Sequence, residues 1–558
     1  MRRSMLFVFL AALIAAASSA WGGAPFYPLS EIRPGLKGVA YTVVSGTDVR
    51  SFTVEILGLA QISAQKRQLI LVKVSGALLR EGKGIAAGMS GSPVYINDRL
   101  VGAISYGFER ADPQYGLVTP IEYMMGLWER YPESGGLALA PSPILPPGCT
   151  AAVPVSTPLL ISGRRVPAEL KKAVGGLGLT LVVAGGSGTA TLETPAIQPG
   201  SAIAAVYAYG DYNAAAIGTV TWVDGRRFLA FGHPIANLGN VEYMATGAYI
   251  NQIIPSADMP FKIGTPLNRI GRFVQDRGAG AGGILGEQAD TVLVKATVLD
   301  KSTGKRVNYE TAVIREPSLL KAMSIAALLD AIDRTLDQYS AGSARVVLRI
   351  EGEGLDKPLV RHNMFFSYTD VATASLSDVG EAVDLITGNS YQQVRIKSIA
   401  VDVTISQALD MAAIESVRAD RTTVRPGEQV LVDVELHPYR AEKTKASFIM
   451  TIPGNTPRGK MVITVRGGFQ GNRDEDEEQL DLHLWLRGHP PTSLSEEVAA
   501  LVERPRNNDL ILEYIPFASD PAENDPDLEP VLQIQGCGFV VQGEHQLILE
   551  IMEPSEND

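Results

Sequence analysis

Short apolar runs separated by turn residues constrain this fold more than any other feature of the sequence. Between Gly38 and Ser105 the runs are rich in β-branched residues and end at Gly, Thr or polar positions, as strands do. They comprise Val39–Val44, Phe52–Leu57, Leu69–Val74, Val94–Ile96 and Leu100–Ser105. Asn97-Asp98-Arg99 predicts a hairpin turn between the last two runs. With 55 glycines, 34 prolines and 7% aromatic residues, the chain favours strands and turns, so we predict a mainly β fold.

A second strand-rich stretch extends from about Leu179 to Leu299. Within it, Ile217–Val223 and Phe228–Phe231 flank Asp224-Gly225, which predicts a tight hairpin. The glycine cluster from Gly278 to Gly286 predicts a mobile or closely packed loop, because glycine tolerates close backbone approach.

The rest of the chain divides by composition. A Pro-rich connector (140–160) separates the two strand-rich stretches. Apolar residues at helical spacing predict a helix over Pro317–Leu336, and a capping serine and a following glycine bound a second helix, Asp378–Thr387. After about residue 401, alternating apolar and polar residues between turn signals predict a β-sandwich. The predicted domains are a signal peptide (1–20), a barrel domain (25–310, with blocks at 35–130 and 175–300), a helical or α+β segment (311–400) and a β-sandwich-like accessory domain (401–558).

The amino terminus has the features of an export signal. Arg2 and Arg3 precede the apolar run Leu6–Ala17 and the small residues Ser18-Ser19-Ala20. We therefore predict cleavage after Ala20 or Ala24 and an exported protein, either periplasmic or secreted. No later stretch approaches the roughly 18 uninterrupted apolar residues of a spanning helix, so no membrane span is expected after signal cleavage.

Charge and cysteine content exclude several classes of protein. The formal charge is −12, with 49 Lys+Arg against 61 Asp+Glu and no basic block, so no nucleic-acid partner is expected. Two cysteines cannot form a Cys₄ metal site, and no His, Asp or Glu cluster has metal-ligand spacing. We therefore predict neither a metal nor a cofactor. Cys149 and Cys537 either pair in an oxidising compartment or remain two thiols.

The segment whose residues are best suited to catalysis is Gly88-Met89-Ser90-Gly91-Ser92-Pro93. Glycines on both sides of a serine permit a tight turn that aims the amides of Gly88 and Ser90 at one point, as an oxyanion hole requires. The Ser90 hydroxyl can attack a carbonyl there if a base removes its proton. The alternative is that Ser90 only belongs to a glycine-rich turn.

This segment resembles the nucleophile region of chymotrypsin-like serine peptidases, in which a hairpin and a substrate-pairing strand follow the serine. The corresponding substrate strand here is Ser105, Tyr106 and Gly107. Met89 stands where those peptidases have an acidic residue, so no zymogen switch of their kind is implied. The resemblance implies a two-lobed, chymotrypsin-like β-barrel peptidase domain.

A closer resemblance is to the sporulation stage IV B (SpoIVB-type) serine peptidases. Gly-Met-Ser-Gly-Ser-Pro at 88–93 is typical of that family, as is Gly-Thr at 218–219 leading to Phe-Gly-His-Pro at 231–234. The resemblance implies Ser90 as nucleophile and His233 as general base. Without that resemblance a structural role is the alternative, since a lone histidine is more often structural than catalytic.

The sequence departs from that family in three ways. The serine block precedes the histidine block, whereas the family has the histidine first. The family's catalytic aspartate lies fifteen residues before the serine, where this chain has Ser75. No PDZ-type module precedes the serine block. Either another carboxylate serves as the third triad member, a Ser-His dyad operates, or the site is weak or inactive. The candidate carboxylates are Asp224, for which a turn role is the alternative, Asp276, for which an ion pair is the alternative, and Asp48.

Two functions follow from these observations. The first is an exported serine peptidase or self-processing protein that acts on a protein or peptide substrate. The alternative is a catalytically weak or inactive peptidase-like factor that binds or assembles an envelope protein partner.

Overall fold

The computed structural model describes residues 25–61, 68–79, 84–108, 111–129, 152–155, 158–184, 193–256, 259–469, 490–514 and 531–552. The predicted signal peptide, most of the Pro-rich connector and Cys149 lie outside the described residues. The first of two compact units contains the described residues up to Val292 together with Glu310–Ala327. The second contains Leu293–Tyr309 and the described residues from Leu328 onward. This division differs from the predicted boundary at residue 310, since the segment 293–309 belongs to the second unit.

The first six strands form a closed barrel. They are β1 (Lys37–Val43), β2 (Val49–Gln61), β3 (Gln68–Ser75), β4 (Pro93–Ile96), β5 (Arg99–Phe108) and β6 (Tyr115–Pro120). Their hydrogen-bonding order is β4-β1-β2-β3-β6-β5, and pairing of β4 with β5 closes the sheet. Short 3₁₀ turns occur at Leu29–Glu31 and Ala77–Leu79, and helix α1 (Ile121–Glu129) follows β6. Asn97 and Asp98 both have positive φ in the tight β4–β5 turn, which confirms the predicted hairpin.

Four short elements connect this barrel to the next one. They are β7 (Ala152–Pro154), β8 (Leu159–Ile161), α2 (Ala168–Gly176) and β9 (Leu181–Val183). β7 pairs with β5, whereas β8 pairs with a strand of the second barrel and with β9. Part of the predicted connector is therefore an ordered strand.

Six further strands form a second closed barrel. They are β10 (Ala202–Gly210), β11 (Ala214–Asp224), β12 (Arg227–Ala230), β13 (Gly239–Ile254), β14 (Phe261–Arg277) and β15 (Gly280–Leu285). Their order is β10-β13-β14-β15-β12-β11, and pairing of β10 with β11 closes the sheet. When the strands of each barrel are numbered 1 to 6 along the chain, both barrels have the order 1-2-3-6-5-4. The structure therefore confirms the prediction of a mainly β, two-lobed barrel fold of chymotrypsin-like type.

The glycine cluster at 278–286 is a strand and not the predicted loop. It contains the whole of β15, which pairs with both β12 and β14. The prediction of close packing was correct, because a Cβ at Gly283 would lie 2.1 Å from the ring of Phe228. Glycine lets this strand lie against an aromatic ring inside the barrel.

The second unit combines sheets with a few helices. Three elements contain residues of both units: β16 (Thr291–Asp300), β17 (Arg306–Ile314) and α3 (Pro317–Leu336). The next elements are β18 (Gly342–Glu353), β19 (Leu359–Ser367), α4 (Val371–Ala374), α5 (Ser377–Gly388) and β20 (Arg395–Ser406). The remaining elements are β21 (Met411–Ala419), β22 (Thr423–Val424), β23 (Gln429–Pro438), β24 (Thr444–Thr451), β25 (Gly459–Gly467), α6 (Leu494–Glu503), β26 (Asp509–Tyr514), β27 (Val531–Gly536), β28 (Val540–Gln542) and β29 (Glu544–Ile551). The bounds of α3 are those predicted. Helix α5 begins at Ser377 itself, so Ser377 is not the cap; its hydroxyl donates to the Ala374 carbonyl.

Two sheets of the second unit enclose one apolar core. The sheets have the orders β24-β23-β21-β28 and β22-β29-β25-β26-β27. Val432 and Phe448 from the first sheet share a buried cluster with Ile463 and Leu512 from the second, as in a β-sandwich. Among the described residues no helix is both long and apolar enough to cross a membrane.

Candidate active site

The serine lies on the connection between the third and fourth strands of the first barrel. Met89 is fully buried in the barrel core and its amide donates to the Ala86 carbonyl, which fixes the middle of the turn. Gly91 has φ +93°, and a Cβ there would lie 1.9 Å from the carbonyl oxygen of Thr219 in the second barrel. Only glycine therefore fits directly after Ser90.

Two amides of this turn are unbonded. The amides at positions 87, 89, 91 and 92 donate to backbone carbonyls. Those of Gly88 and Ser90 have no acceptor among the described residues. Most buried amides are paired, so two free donors at the same turn indicate a site for an acceptor that arrives from outside.

The histidine lies on the corresponding connection of the second barrel, between its third and fourth strands. Phe231 and Gly232 precede it with φ of +67° and +69°. Left-handed backbone is costly for a bulky residue such as Phe231, and strain of this kind is concentrated at functional sites. The Phe231 ring is held by close packing against Gly218, where a Cβ would lie 2.5 Å from it.

Direct hydrogen bonds join the serine and histidine segments. The Thr219 amide donates to the Ser90 carbonyl at 2.8 Å, and the Thr221 hydroxyl donates to the Gly91 carbonyl at 2.8 Å. From the other side, the Thr119 hydroxyl donates to the Gly232 carbonyl at 2.7 Å. The structure therefore brings together two segments whose hydrogen-bonded residues Gly91 and Thr221 lie 130 positions apart in the chain.

The imidazole is buried and bonded at one nitrogen only. Nδ1 of His233 lies 2.7 Å from the Pro234 carbonyl oxygen, so Nδ1 carries the proton of the neutral ring and donates it there. Nε2 makes no hydrogen bond among the described residues, and neither does the buried hydroxyl of Ser90. Burial lowers the pKa of His233 to about 4, against the opposing effect of the Pro234 and Val155 backbone. The ring is therefore neutral at pH 7, with a free lone pair on Nε2.

Asp276 is fully buried beneath the loop that follows His233. Its Oδ1 accepts from the Ile235 amide at 2.7 Å and its Oδ2 from the Ala236 amide at 2.8 Å. Burial raises the pKa of Asp276, while the bonds from these amides, Asn237 and Tyr243 oppose that shift. Both oxygens accept from amides that can only donate, which favours the carboxylate form. The alternative of an ion pair was wrong, because the partners are backbone amides and a tyrosine hydroxyl.

The other candidate carboxylates lie elsewhere on the surface of the first unit. Asp224 is exposed at the turn of the β11–β12 hairpin, whereas His233 follows the opposite end of β12. Asp48 is exposed in the connection between β1 and β2, and Ser75 is exposed at the end of β3. Neither imidazole nitrogen is bonded to a carboxylate in the described part of the chain.

A buried lysine beneath the serine turn was not identified from the sequence. Lys262 has no exposed surface, and its ammonium contacts the hydroxyl of Thr42 at 2.9 Å and that of Thr219 at 3.5 Å. Its aliphatic stem packs under Gly88, where a Cβ would lie 3.0 Å from the lysine Cδ. Burial lowers the pKa of Lys262 to about 7. Lys262 is therefore a second group near Ser90 that titrates in the neutral range.

The predicted substrate strand has both of its edges occupied. Ser105 is buried and its hydroxyl donates to the Leu117 carbonyl of β6 at 3.2 Å. On the other edge Tyr106 and Gly107 pair with β7. No free edge is therefore left for substrate in this arrangement of the chain.

A comparison with known protein families gives a match that lies within the first unit. Residues 28–125 match the model of the SpoIVB peptidase S55 family. The match covers the first barrel with its Gly-Met-Ser-Gly-Ser-Pro turn and ends within α1; it confirms the predicted resemblance for this segment and supports a serine peptidase. The histidine segment lies outside it, so the assignment of His233 stays a prediction. No curated protein and no solved structure matched the chain.

Proposed function

We propose that this protein is an exported serine peptidase in which Ser90 is the nucleophile and His233 the general base. One observation carries the proposal: within the described part of the chain, the Ser90 hydroxyl and the His233 Nε2 are both buried without a partner, on hydrogen-bonded segments beside two amides that have no acceptor there. Most buried polar atoms are hydrogen-bonded, and catalytic groups are among the exceptions. Export rests on the first 20 residues of the sequence.

In the proposed mechanism the Ser90 oxygen bonds to the carbonyl carbon of the substrate while its proton passes to His233 Nε2. The amides of Gly88 and Ser90 donate to the oxyanion of the tetrahedral intermediate. When the carbon–nitrogen bond breaks, His233 gives its proton to the departing amine. Water then attacks the acyl-enzyme, again losing a proton to His233, which releases the acid and restores the Ser90 hydroxyl.

Asp276 contributes to this mechanism through a peptide bond. The peptide unit that joins Pro234 to Ile235 donates its N–H to Asp276 and accepts from His233 Nδ1 with its carbonyl. A carboxylate on the N–H side makes that carbonyl a stronger acceptor, because hydrogen bonds in a chain polarise one another. Asp276 is thus a positioning residue that keeps the proton on Nδ1 and leaves Nε2 free to act as base.

The nucleophile is tested by covalent labelling with a fluorophosphonate probe. We expect one label per chain, located on Ser90 by peptide mass spectrometry, and none in Ser90→Ala. Ser92→Ala is the matched control, since the Ser92 hydroxyl already donates to the Met89 carbonyl at 2.6 Å and the variant keeps Ser90. Labelling that persists in Ser90→Ala would refute the assignment.

The pH dependence of labelling distinguishes His233 from Lys262 as the base. Deprotonated base is required, so the rate should rise with pH through the pKa of the base in the free enzyme. With the pKa of His233 lowered to about 4, we expect a rise near pH 4 and a plateau well below neutrality. A rise centred near pH 7 would instead assign the base to Lys262, whose pKa is lowered to about 7.

The second candidate function is an envelope binding or assembly factor that retains the peptidase fold with weak or no activity. Two observations favour it: the imidazole has no direct carboxylate partner among the described residues, and the predicted substrate strand is already paired. The accessory sandwich would then bind the envelope partner. Absence of labelling in a folded wild-type chain would support this function.

A further inference from the structure

The structure places a piece of the chain itself along the predicted substrate strand. β7 runs antiparallel to β5, with Pro154 opposite Tyr106 and Val153 opposite Gly107. The Val155 amide continues the ladder by donating to the Ser105 carbonyl at 2.8 Å. An extended peptide that adds to a sheet edge in this way is a common mode of peptide recognition.

The residue that follows β7, Val155, lies beside the imidazole of His233. The Val155 backbone lies close enough to His233 to raise the pKa of the imidazole, although Nε2 makes no hydrogen bond in the described part of the chain. In a serine peptidase the residue beside the base carries the carbonyl that the serine attacks.

The side chain of Val155 occupies an apolar pocket. It has no exposed surface and belongs to the buried cluster that contains Ala86, Ala87 and Met89 of the serine segment. A Cβ at Gly107 would lie 3.6 Å from the Val155 Cγ2 and 3.2 Å from the Met259 Cε. Absence of a side chain at Gly107 thus leaves room for a small branched residue, with Met259 as a further wall.

We propose that residues 152–155 occupy the acyl side of the substrate site as an internal substrate mimic, and that the site selects extended peptides with Val at the cleaved bond and Pro before it. This inference rests on the proposed function for the identity of the site. Because the segment is covalently attached, it competes with any peptide from outside. A substrate must displace β7 from β5 before its own carbonyl can reach Ser90.

The experiment measures peptide binding in a Ser90→Ala background, so that its outcome does not depend on catalysis. The probe is acetyl-Ala-Val-Pro-Val-amide, titrated calorimetrically into Ser90→Ala and into Ser90→Ala/Val155→Asp. A buried aspartate should expel the segment, so we expect the second variant to bind at least about tenfold more tightly, because apparent affinity scales with the fraction of open sites. Acetyl-Ala-Val-Pro-Asp-amide should bind more weakly to the same variant.

Two further variants control for folding. Val155→Thr keeps the shape of the side chain. It should also increase the affinity for the peptide, but by a smaller factor than Val155→Asp. Val183→Asp places the same charge on β9, where the side chain is 48% exposed, and should leave affinity unchanged. Equal affinity of Ser90→Ala with and without the Val155 substitutions would overturn the proposal. Loss of labelling at Ser90 in the wild type, with this binding pattern intact, would reject only the peptidase mechanism.

Discussion

Asp276→Asn is expected to lower the rate of Ser90 labelling by about 10²- to 10³-fold, less than the roughly 10⁴-fold loss when a directly bonded triad aspartate is replaced. The carboxylate accepts one amide on each oxygen, at 2.7 and 2.8 Å. Asparagine can accept only one of them and points its NH₂ group at the other donor. The Pro234–Ile235 peptide would then lose its fixed orientation, and His233 Nδ1 its partner.

The decisive measurement is the protonation state of His233 in Asp276→Asn. If the role of Asp276 were purely structural, the substitution would leave that protonation state unchanged. In protein labelled with ¹⁵N-histidine, the wild-type His233 should show the neutral form protonated at Nδ1 down to about pH 5, since its pKa is about 4. In Asp276→Asn we expect a mixture of the two neutral forms and a pKa closer to the ordinary value of 6.5, because a loosened loop admits water. Asp224→Asn, in an exposed turn, is the control. An unaltered histidine spectrum in Asp276→Asn would refute the positioning role.

The two-barrel topology accommodates the order of the serine and histidine blocks, which the family resemblance implies is reversed. Both barrels have the strand order 1-2-3-6-5-4, and each candidate residue lies on the connection between strands three and four. Two barrels of equal topology can exchange such roles without altering the geometry where they meet. A triad is defined by geometry and not by chain order, so the permutation by itself is no argument against activity.

The sequence predicted those features whose signal is local. Five of the six strands of the first barrel (all but β6), the Asn97-Asp98 turn and the helix Pro317–Leu336 follow from hydrophobic spacing and turn chemistry. The Gly-Met-Ser-Gly-Ser-Pro turn could be recognised because the glycines on either side of Ser90 are needed where two chain segments nearly touch.

Features that depend on long-range pairing could not be predicted. Lys262 alternates with Phe261 and Ile263 on β14, and the pattern alone does not reveal that the lysine faces inward. The role of Asp276 depends on amides 40 positions away, which no motif records. β7 is three residues long and follows a Pro-rich segment, so nothing in its composition indicates that it pairs with β5.

Lys262→Met is expected to stabilise the protein near pH 7 but to destabilise it by about 1 kcal/mol near pH 10, where little charge-burial cost remains and the lost hydrogen bonds dominate. Burial lowers the pKa of Lys262 from 10.5 to about 7, so between these values the unfolded chain binds a proton that the folded chain does not. Stability of the wild type should therefore rise with pH across this window, by up to about 5 kcal/mol at about 1.4 kcal/mol per pH unit. Below about pH 7 the full cost of burying the charge is present.

Methionine removes that cost because it fills a similar volume without a charge. The loss of two hydrogen bonds to Thr42 and Thr219 offsets part of the gain, at about 1 kcal/mol each. We therefore expect a net stabilisation of about 2–3 kcal/mol at pH 7, measured by urea unfolding followed through the fluorescence of Trp128 and Trp222 in the first unit. The stability of Lys171→Met, on the exposed face of α2, should equal that of the wild type at every pH.

Parallel pH profiles for wild type and Lys262→Met would show that the buried amine does not titrate in this window. A gain in stability together with slower labelling of Ser90 would instead show that the folded chain retains a costly charge beneath the turn because the nucleophile depends on it.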